Sequence, residues 1–514
     1  MFVSYQLVEV GKKGNNMQAM KLPNIFVLFS VFCLMGCGGE DNSTSTTSPS
    51  TGTTTTPTNS APVLAAPNQD FSVSAGEAVD YDVSQNDTTF TDADGDSLSY
   101  TISIQTFNSD SIAIENELSS TGTIVSGTPA TVGTVFVTVT VNDGNGGSAS
   151  DEFEISVTLA VDEDAPSLPA VSFEYVNIDL PDHFTNPNSE FGDVAGQDNQ
   201  PVNNTITNAG ATLGRVLFYD KKLSANDTVS CASCHQQEFG FSDPNVLSIG
   251  FEGGETGRHS MGLANARYYE RGRFFWDERA NTLEDQVLQP IQDAVEMGMT
   301  LSALETKLAA TSYYPDLFED AFGSSAITSG RIADALAQFI RSMVSFQSKF
   351  DTAFAGGDAE NPDFQSVFTA QELQGLRLFT DEVNLPGRTL RCNGCHTTAV
   401  QTAERPENNG LDADTSGDQG AGAGRFKVPS LRNIAVRAPY MHDGRFSTLE
   451  EVVEFYNSGI QAHPNLSGRL ENNGQPRRFN MTDAEKAALV AFMNTLTDNV
   501  FLTDEKFSDP FSED

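Results

Sequence analysis

The sequence has few cysteines, few basic residues and a single tryptophan. Of 514 residues, six are Cys, one is Trp, and 29 are Lys or Arg against 70 Asp or Glu. The formal charge of −41 argues against a nucleic-acid partner, because a phosphate backbone would repel this surface. Six cysteines are too few for a disulfide scaffold of this length. At roughly 150 residues per domain, the chain has room for two to four domains.

The N-terminal segment has the features of an export signal. Lys12, Lys13 and Lys21 precede an apolar run at 25–35, which is short for a membrane span. The run ends with Leu-Met-Gly-Cys at Cys37, and this ending resembles the signal of bacterial lipoproteins. An ordinary secretory signal is the alternative. No later stretch is apolar enough to cross a bilayer.

These features predict a lipoprotein signal peptide at 1–36 and a lipid on Cys37 that attaches the protein to a membrane. The body of the protein is then exported to the periplasmic side or to the cell surface. Residues 37–62 are rich in Ser and Thr and poor in large apolar side chains. They cannot bury a core, so we expect a flexible linker.

The next region is acidic and has strand patterns. Residues 61–160 contain 15 Asp or Glu and no Lys or Arg. Thr and Val alternate at 134–141, a turn sequence follows at 142–147, and apolar residues alternate again at 152–157. Short strands with frequent turn signals predict a β-sandwich, which we place at 63–160.

Three segments of this region carry a family resemblance. They are Asp-Ala-Asp-Gly-Asp at 92–96, Gly-Thr-Ile-Val-Ser-Gly-Thr-Pro at 122–129 and Asn-Asp-Gly at 142–144. Together they resemble the cadherin-like modules of bacterial surface proteins. Clustered carboxylates on a loop make Ca²⁺ a candidate ligand here, and a solvated acidic turn is the alternative.

Four of the six cysteines lie in two Cys-x-x-Cys-His motifs, the pattern of covalent c-type haem attachment. The two thiols bond to the haem, and the adjacent His becomes the proximal iron ligand. A zinc or redox Cys-x-x-Cys site is the alternative for a single motif, and two copies in an exported chain disfavour it. The motif residues are Cys231, Cys234 and His235 in the first copy, and Cys392, Cys395 and His396 in the second.

The two motifs lie in an internal repeat. Gly214 begins Gly-Arg-Val-Leu-Phe 17 residues before Cys231, and Gly375 begins Gly-Leu-Arg-Leu-Phe 17 residues before Cys392. Each segment is typical of the first helix of a cytochrome c domain. The sequence thus predicts two mainly α cytochrome c-type haem domains, at 201–360 and 361–514, after a linker at 161–200.

Helix-start signals support this pattern. Thr369 with Glu372 and Thr482 with Glu485 have capping-box spacing. The second box opens a segment with apolar residues at helical spacing, which resembles the closing helix of a cytochrome c domain.

Four further segments between and after the haem motifs form an ordered set. They are Phe-Trp-Asp-Glu-Arg-Ala at 275–280, Leu-Glu-Asp-Gln at 283–286, Glu-Met-Gly at 296–298 and Pro-Tyr-Met-His-Asp-Gly at 439–444. The set resembles the bacterial di-haem cytochrome c peroxidases and their MauG-like relatives. The resemblance implies reduction of hydrogen peroxide to water with electrons from a small cytochrome c or cupredoxin. It also implies that the N-terminal haem is peroxidatic and that the C-terminal haem accepts electrons.

The resemblance assigns roles to three residues. Trp276 matches the aromatic residue between the haems, and a core Trp is the alternative. Glu296 matches the acid/base of the peroxide pocket, and Gln286 matches its hydrogen-bonding partner. An exposed helix face is the alternative for this pair.

One departure from the family pattern concerns the peroxidatic haem. Many of these peroxidases have a His in Ser-Ile-Gly-His-Gly that caps the resting iron, whereas this chain has Phe251 at that place. Since Phe cannot bind iron, we expect a haem that is five-coordinate or water-bound and needs no reductive activation. His259 is an alternative ligand.

A second departure concerns the C-terminal haem. The peroxidases use Met as its sixth ligand, but the alignment places Tyr456 there, similar to MauG. A phenolate stabilises Fe(III) and lowers the potential relative to Met. Met441 is the alternative ligand.

Other family features are less well matched. His259 replaces the Asn that binds an interdomain Ca²⁺, so that site is in doubt, although the carbonyls of residues 437 and 439 are retained. His442 is expected to have a hydrogen-bonding or structural role. We expect His183 and His463 at the surface.

The leading prediction is therefore a lipid-anchored di-haem peroxidase with two covalent c-type haems. A MauG-like enzyme that oxidises a residue of a partner protein is one alternative, and a non-catalytic di-haem electron carrier is another. The net negative charge predicts a donor protein with a basic face. The sequence leaves an oligomer open.

Overall fold

The computed structural model describes residues 58–106, 116–158, 165–355, 359–382, 389–403 and 405–511. The chain separates into two compact units, of which the first ends at Val157 and the second begins at Thr158. Ser74–Gly76 are grouped with the second unit. The predicted signal peptide, Cys37 and nearly all of the predicted linker at 37–62 lie outside the described residues.

The first unit is made of antiparallel β-strands. A four-stranded sheet has the order β2-β9-β8-β5, a three-stranded sheet has the order β3-β7-β6, and β1 pairs with β4. The strands are β1 Val63–Leu64, β2 Phe71–Ser74, β3 Val79–Asp82, β4 Phe90–Thr91, β5 Ser99–Gln105, β6 Leu118–Thr121, β7 Ile124–Gly127, β8 Gly133–Asn142 and β9 Ser148–Thr158.

Strand β8 shows why this sequence forms a sheet. Its Val135, Val137, Val139 and Val141 are completely buried, whereas the residues between them are not. Side chains that alternate across a pleated strand place one apolar set on the core face. The predicted β-sandwich module is confirmed, including the turn that joins β8 to β9.

The second unit is mainly helical. None of its described helices is long and apolar enough to cross a membrane. The helices and a short hairpin are α1 Asp182–Thr185, α2 Asn208–Tyr219, α3 Cys231–Cys234, α4 Leu283–Gln292, α5 Leu301–Ala309, α6 Tyr314–Phe322, α7 Ser329–Ser342, α8 Lys349–Ala355, α9 Phe364–Val367, α10 Ala370–Thr380, α11 Leu449–Glu454, β10 Glu471–Asn472, β11 Gln475–Pro476, α12 Asp483–Asn494 and α13 Asn499–Thr503.

The repeated glycines are the points where paired helices touch. A Cβ on Gly214 of α2 would lie 2.0 Å from the carbonyl oxygen of Ala335 in α7. A Cβ on Gly375 of α10 would lie 1.9 Å from the carbonyl oxygen of Ala488 in α12. Only glycine permits such close backbone approach. The repeat in the sequence is thus a repeat of one helix-pair geometry.

The predicted helix starts are confirmed. The side chains of Thr369 and Thr482 accept hydrogen bonds from the backbone N–H of the Glu three residues later. The side chain of each Glu accepts from the backbone N–H of the Thr, which completes a capping box. Helix α12 buries Leu489, Phe492 and Met493, as its spacing predicts.

The helical unit has two hydrophobic cores that exchange chain segments. Phe501 and Phe507, near the C-terminus, pack in the core of the first haem motif. Phe184 and Val194, from the predicted linker at 161–200, pack in the core of the second motif. The C-terminal segment therefore packs in the first core, and the segment before the first motif packs in the second core. The predicted domain limits stay a prediction.

Candidate haem sites and their surroundings

The first Cys-x-x-Cys-His motif has the local geometry that a proximal haem ligand needs. Cys231 and Cys234 lie on the single turn α3, which Ser230 caps. His235 follows, and its Nδ1 lies 2.9 Å from the carbonyl oxygen of Phe241. A proton on Nδ1 satisfies that carbonyl and leaves Nε2 free to bind iron. Burial lowers the pKa of His235, which favours the neutral form that ligation requires.

The second motif repeats this arrangement. Cys392 begins a short turn that ends at Gly394, and the Nδ1 of His396 lies 3.2 Å from the carbonyl oxygen of Gln401. Burial lowers the pKa of His396 to about 4. Both histidines are therefore oriented by a backbone carbonyl five or six residues downstream.

A large apolar cavity lies against the second motif. Cys392, Cys395 and His396 form part of its wall. Much of the remaining wall is aliphatic or aromatic, including Leu431, Ile434, Val453 and Leu489. A cavity with this apolar lining, two thiols and a neutral imidazole fits a covalently attached haem.

Both candidate sixth ligands lie in this cavity. Tyr456 is in a π-helical turn at Phe455–Gly459 that continues α11, and Met441 has a backbone φ of +79°. Such turns and left-handed residues often occur at functional sites. The amide nitrogen of Asn409 lies 3.5 Å from the Tyr456 hydroxyl and 3.7 Å from the Met441 sulfur. Tyr456 and Met441 thus face one region of the cavity, and ligation of the second haem by either residue stays a prediction.

The protonation of Tyr456 depends on what lies next to it. Burial raises the pKa of Tyr456 to about 12, although the hydrogen bond from Asn409 lowers it. Without a nearby cation, the phenol keeps its proton at neutral pH. A cation in the cavity would favour the phenolate.

Glu296 belongs to the surroundings of the first motif. It is half-buried, and burial followed by the charge of Asp293 raises its pKa. Burial is the main cause of the raised pKa of the Cys231 and Cys234 thiols, and the charge of Glu296 raises them further. The effect of the Glu296 charge on both thiols indicates that the carboxylate lies in their neighbourhood. Gln286 is half-buried on α4, and its predicted partnership with Glu296 stays a prediction.

Phe251 packs on the segment that carries Glu296. Its backbone N–H donates to the carbonyl oxygen of Glu296 at 3.0 Å. Its ring lies so close to Gly298 that a Cβ there would be 2.3 Å from the ring. The side chain next to the predicted peroxide pocket is therefore a hydrocarbon ring without a ligand atom.

His259, the alternative iron ligand, has hydrogen-bond partners at both ring nitrogens. Its Nδ1 lies 3.2 Å from the carbonyl oxygens of Asn245 and Val246, and its Nε2 lies 3.3 Å from the hydroxyl oxygen of Ser242. This arrangement holds the imidazole among loop carbonyls.

Trp276 links the two halves of the helical unit. Its indole N–H donates to the carbonyl oxygen of His259 at 2.8 Å, and its own carbonyl accepts from the backbone N–H of Lys427 at 2.8 Å. The residue also lines the cavity of the second motif. His442 stacks on Phe426 with ring centroids 3.7 Å apart and meets Trp276 edge to face. This packing suits the structural role predicted for His442.

The surface position predicted for His183 is wrong. The side chain is fully buried, and its Nε2 lies 2.7 Å from Asp351, which also forms an ion pair with Arg432. His183 forms part of a buried charge network because the predicted linker folds back into the second core. His463 is half-buried and hydrogen-bonded to Asn408 and Thr415.

Several residues at the site have no signal in the sequence. Arg258 donates hydrogen bonds to Asp277 at 2.7 Å and to Asp418 at 2.8 and 2.7 Å. These bonds connect the turn that carries Trp276 to the second half of the helical unit. Asn409 and the Arg432 network are also of this kind. Their partners are distant in sequence, so spacing rules cannot find them.

The acidic cluster predicted in the β unit does form. Carboxylate oxygens of Asp92, Asp96 and Asp143 lie within 4.8 Å of one another. One oxygen of Asp92 is buried without a hydrogen-bond partner in the described part of the chain. Binding of Ca²⁺ there stays a prediction.

Comparison with known proteins identifies both units. A family described as Di-haem cytochrome c peroxidase matches residues 208–359, and the Bacterial Ig domain family matches residues 59–156. The methylamine utilization protein MauG of Methylorubrum extorquens is 34% identical over 305 residues, which cover 58% of this chain and 80% of MauG. The cytochrome c551 peroxidase of Nitrosomonas europaea is 32% identical over 299 residues, which cover 56% of this chain and 79% of that enzyme.

Solved structures show the same likeness. A crystal structure of a MauG-like protein associated with microbial copper homeostasis has a TM-score of 0.54 and 32% identity, and the match covers 65% of this chain and 99% of that one. The di-haem peroxidase BthA of Burkholderia thailandensis, with a TM-score of 0.50 and 23% identity, shares the fold. The chain thus belongs to the di-haem cytochrome c peroxidase and MauG family of oxidoreductases and carries an Ig-like module at its N-terminal side.

Proposed function

We propose that this protein reduces hydrogen peroxide to water with electrons from a small redox protein and needs no prior reduction. Cys231, Cys234 and His235 would hold the peroxidatic haem. Cys392, Cys395 and His396 would hold the electron-accepting haem. Such haems, when bound, supply the iron that binds peroxide and takes up its oxidising equivalents. The observation that carries the proposal is the half-buried carboxylate of Glu296 beside the thiols of the first motif.

Glu296 is suited to move a proton within the peroxide. Cleavage of the O–O bond requires that one oxygen lose a proton and the other gain one. Its raised pKa makes the carboxylate a better base than an exposed glutamate, and the same group then returns the proton. Gln286 would hold the peroxide or a water by its amide. Trp276 would carry electrons between the two halves.

Phe251 supports turnover without activation. A hydrocarbon ring cannot occupy an iron coordination position, so nothing at this place has to leave before peroxide binds. The expected substrate access is therefore already open in the oxidised enzyme.

The electron donor would be a cytochrome c or a cupredoxin with a basic face. A polar groove reaches His396 and the adjoining residues of the second motif, and Arg377 is the one Lys or Arg among the described residues that line it. In the part of the chain that the structure describes, six carboxylates surround this groove, from Glu190, Asp193, Glu270, Glu360, Asp363 and Glu382. Complementary charge steers such a donor to the second haem site. An exported location and a lipid at Cys37 complete the proposal.

The deciding assay follows peroxide consumption by the oxidised holoenzyme with a reduced cytochrome c, without any reducing pretreatment. We expect turnover in the wild type. The matched variant Phe251→His should become slow until it is reduced, because the new imidazole can cap the iron. Wild-type turnover that appears only after reduction contradicts the proposal for Phe251. Absence of turnover under both conditions would indicate an electron carrier.

A second candidate function is oxidation of a residue on a partner protein, as in a MauG-like enzyme. Tyr456 in the cavity of the second motif favours this candidate. As a phenolate ligand, Tyr456 would make a haem iron at this site harder to reduce, and oxidising equivalents would then be more readily shared between the two sites.

The ligand of the second haem can be tested by substitution. We expect Tyr456→Phe to change the near-infrared and electron paramagnetic resonance signals of that haem, because the oxygen ligand is lost. Tyr440→Phe is the control, since Tyr440 lines the same cavity but its hydroxyl donates to the carbonyl of Ile434 at 3.1 Å. Unchanged spectra in Tyr456→Phe together with a changed spectrum in Met441→Leu would assign the ligand to Met441.

A further inference from the structure

A buried carboxylate in the turn that carries Trp276 forms a pair with a buried phenol. Tyr269 is 1% exposed and Glu278 is 6% exposed. The Tyr269 hydroxyl donates to Oε1 of Glu278, and Oε2 of Glu278 lies 3.1 Å from the guanidinium of Arg271. The phenolic proton therefore already has an anionic acceptor in hydrogen-bond contact, which is the geometry that proton transfer requires.

The backbone adopts a costly conformation to place this carboxylate. Phe275 and Glu278 both have positive φ angles, +68° and +53°, which are unfavourable for residues with a side chain. Backbone strain of this kind clusters at functional sites. The same turn holds the indole of Trp276 against the carbonyl of His259. One strained turn thus positions both the indole and the proton acceptor, two residues apart.

The surroundings keep the phenol protonated until it is oxidised. Burial raises the pKa of Tyr269, and the hydrogen bond to Glu278 raises it further. The ammonium of Lys427 lies 3.7 Å from the centre of the Tyr269 ring, and burial lowers the pKa of Lys427 to about 7. A charge over the ring opposes loss of an electron, and this lysine loses its charge near neutral pH. Because the raised pKa keeps the phenol protonated, Tyr269 must give up its proton when it gives up an electron.

We propose that Tyr269 is a redox-active residue that donates one electron to oxidised Trp276 while its proton passes to Glu278. In this step the phenolic O–H bond breaks and an O–H bond forms on Oε1 of Glu278. Tyr269 becomes a neutral radical, Trp276 regains its electron, and the oxidising equivalent comes from peroxide. An electron from the donor protein and the proton on Glu278 later restore Tyr269. This inference rests on the proposed function through the role of Trp276.

The position of Tyr269 defines what such a radical can do. The ring is too buried to touch a partner protein or a second substrate. The connection from the indole to the phenol runs through one intervening residue, Asp277, and one hydrogen bond. The residue therefore acts as an internal electron reserve, used when peroxide arrives before the donor.

The experiment adds peroxide to oxidised holoenzyme without donor, freezes the sample within milliseconds to seconds, and records the electron paramagnetic resonance spectrum. We expect a tyrosyl signal in the wild type that falls at least tenfold in Tyr269→Phe. The control Tyr268→Phe should keep the signal. Tyr268 is equally buried and adjacent, but its ring packs edge to face on Phe184 in the second core. The tyrosyl signal should also fall at least tenfold in Glu278→Gln, because glutamine cannot take up the proton.

Haem absorption spectra check that each variant is folded and loaded. If Tyr269→Phe does not fold, a ring-fluorinated tyrosine incorporated at position 269 replaces it, and fluorine hyperfine splitting is expected in the radical signal. A tyrosyl signal of wild-type size in folded Tyr269→Phe, or absence of fluorine splitting, overturns the proposal. A wild type that consumes peroxide without a tyrosyl signal overturns it and leaves the proposed function standing. A wild type that consumes no peroxide overturns both.

Discussion

Glu296→Gln is expected to lower the rate of peroxide reduction by about 10²–10⁴-fold, the usual contribution of a positioned general acid–base group. Glutamine keeps the size and the hydrogen-bonding capacity of the side chain but cannot accept the proton. The haem spectrum should be unchanged, because the motif residues Cys231, Cys234 and His235 are untouched. Steady-state peroxide consumption with a reduced donor measures the loss.

The matched control for this variant is Glu252→Gln. Glu252 is exposed and lies next to Phe251 in the loop that pairs with the Glu296 segment. Its replacement removes one negative charge near the site without touching the predicted base. We expect wild-type turnover from it. Equal rates in Glu296→Gln and the wild type would remove Glu296 from the mechanism.

The raised pKa of Glu296 sets the expected direction of two pH effects. The carboxylate is the active form, so the rate should fall as pH drops through a value above the ordinary 4.5 of glutamate. A raised folded-state pKa also means that the protonated form stabilises the fold. This contribution is complete below the unfolded pKa and is lost as pH rises through the folded value. At neutral pH, Glu296→Gln should therefore be at least as stable as the wild type.

Arg432→Met is expected to lower the free energy of unfolding by about 3–5 kcal/mol, because it leaves a buried charge without its partner. Arg432 and Asp351 are both buried, with a shortest N–O distance of 2.6 Å. The same guanidinium donates to the carbonyl of Ala399, which lies in the loop after His396. Denaturant unfolding followed by the absorption of the second haem measures the change.

The control is Lys486→Met. Lys486 forms a partly exposed ion pair with Glu454 at 2.9 Å and one with Asp483, whose side chain is fully exposed. Exposed pairs contribute little to stability, because water and salt screen them. A loss in Arg432→Met no larger than that in Lys486→Met contradicts the importance of the buried network.

Acid should act on the same network. Burial alone would raise the pKa of Asp351, but the charge of Arg432 and the hydrogen bond from His183 hold it below its usual range. Burial lowers the pKa of His183. Both depressed values contribute stability at neutral pH that is lost as pH falls, for His183 from about its ordinary 6.5 downward and for Asp351 at lower pH. The pH dependence of unfolding should therefore be weaker in Arg432→Met.

Much of the fold followed from local patterns. Alternating valines predicted β8, two capping boxes predicted the starts of α10 and α12, and a repeated glycine marked the first helix of each haem half. These features depend on hydrogen bonds and spacings within a few residues. They are visible in the sequence because the physical cause lies there too.

The buried position of His183 could not be predicted in this way. Its partner Asp351 lies 168 residues further along, and a polar segment rich in Asp, Asn and Pro surrounds it. Local composition indicated a linker. Packing of Phe184, Val194 and Phe191 against the second core overrides that local preference, because apolar contacts with distant parts of the chain offset the cost of ordering the segment.

The residues predicted to attach haem follow from the sequence alone, because Cys-x-x-Cys-His is a local chemical unit in which one helical turn presents two thiols and an imidazole. Only the tertiary structure shows three other features. They are the neighbourhood of Glu296 and the thiols of the first motif, the amide of Asn409 between Met441 and Tyr456, and the Tyr269–Glu278 hydrogen bond in the turn of Trp276. Each joins residues through contacts that close long loops or through strained turns. Such contacts depend on how two helical halves pack on each other, and no spacing rule within a single segment contains that information.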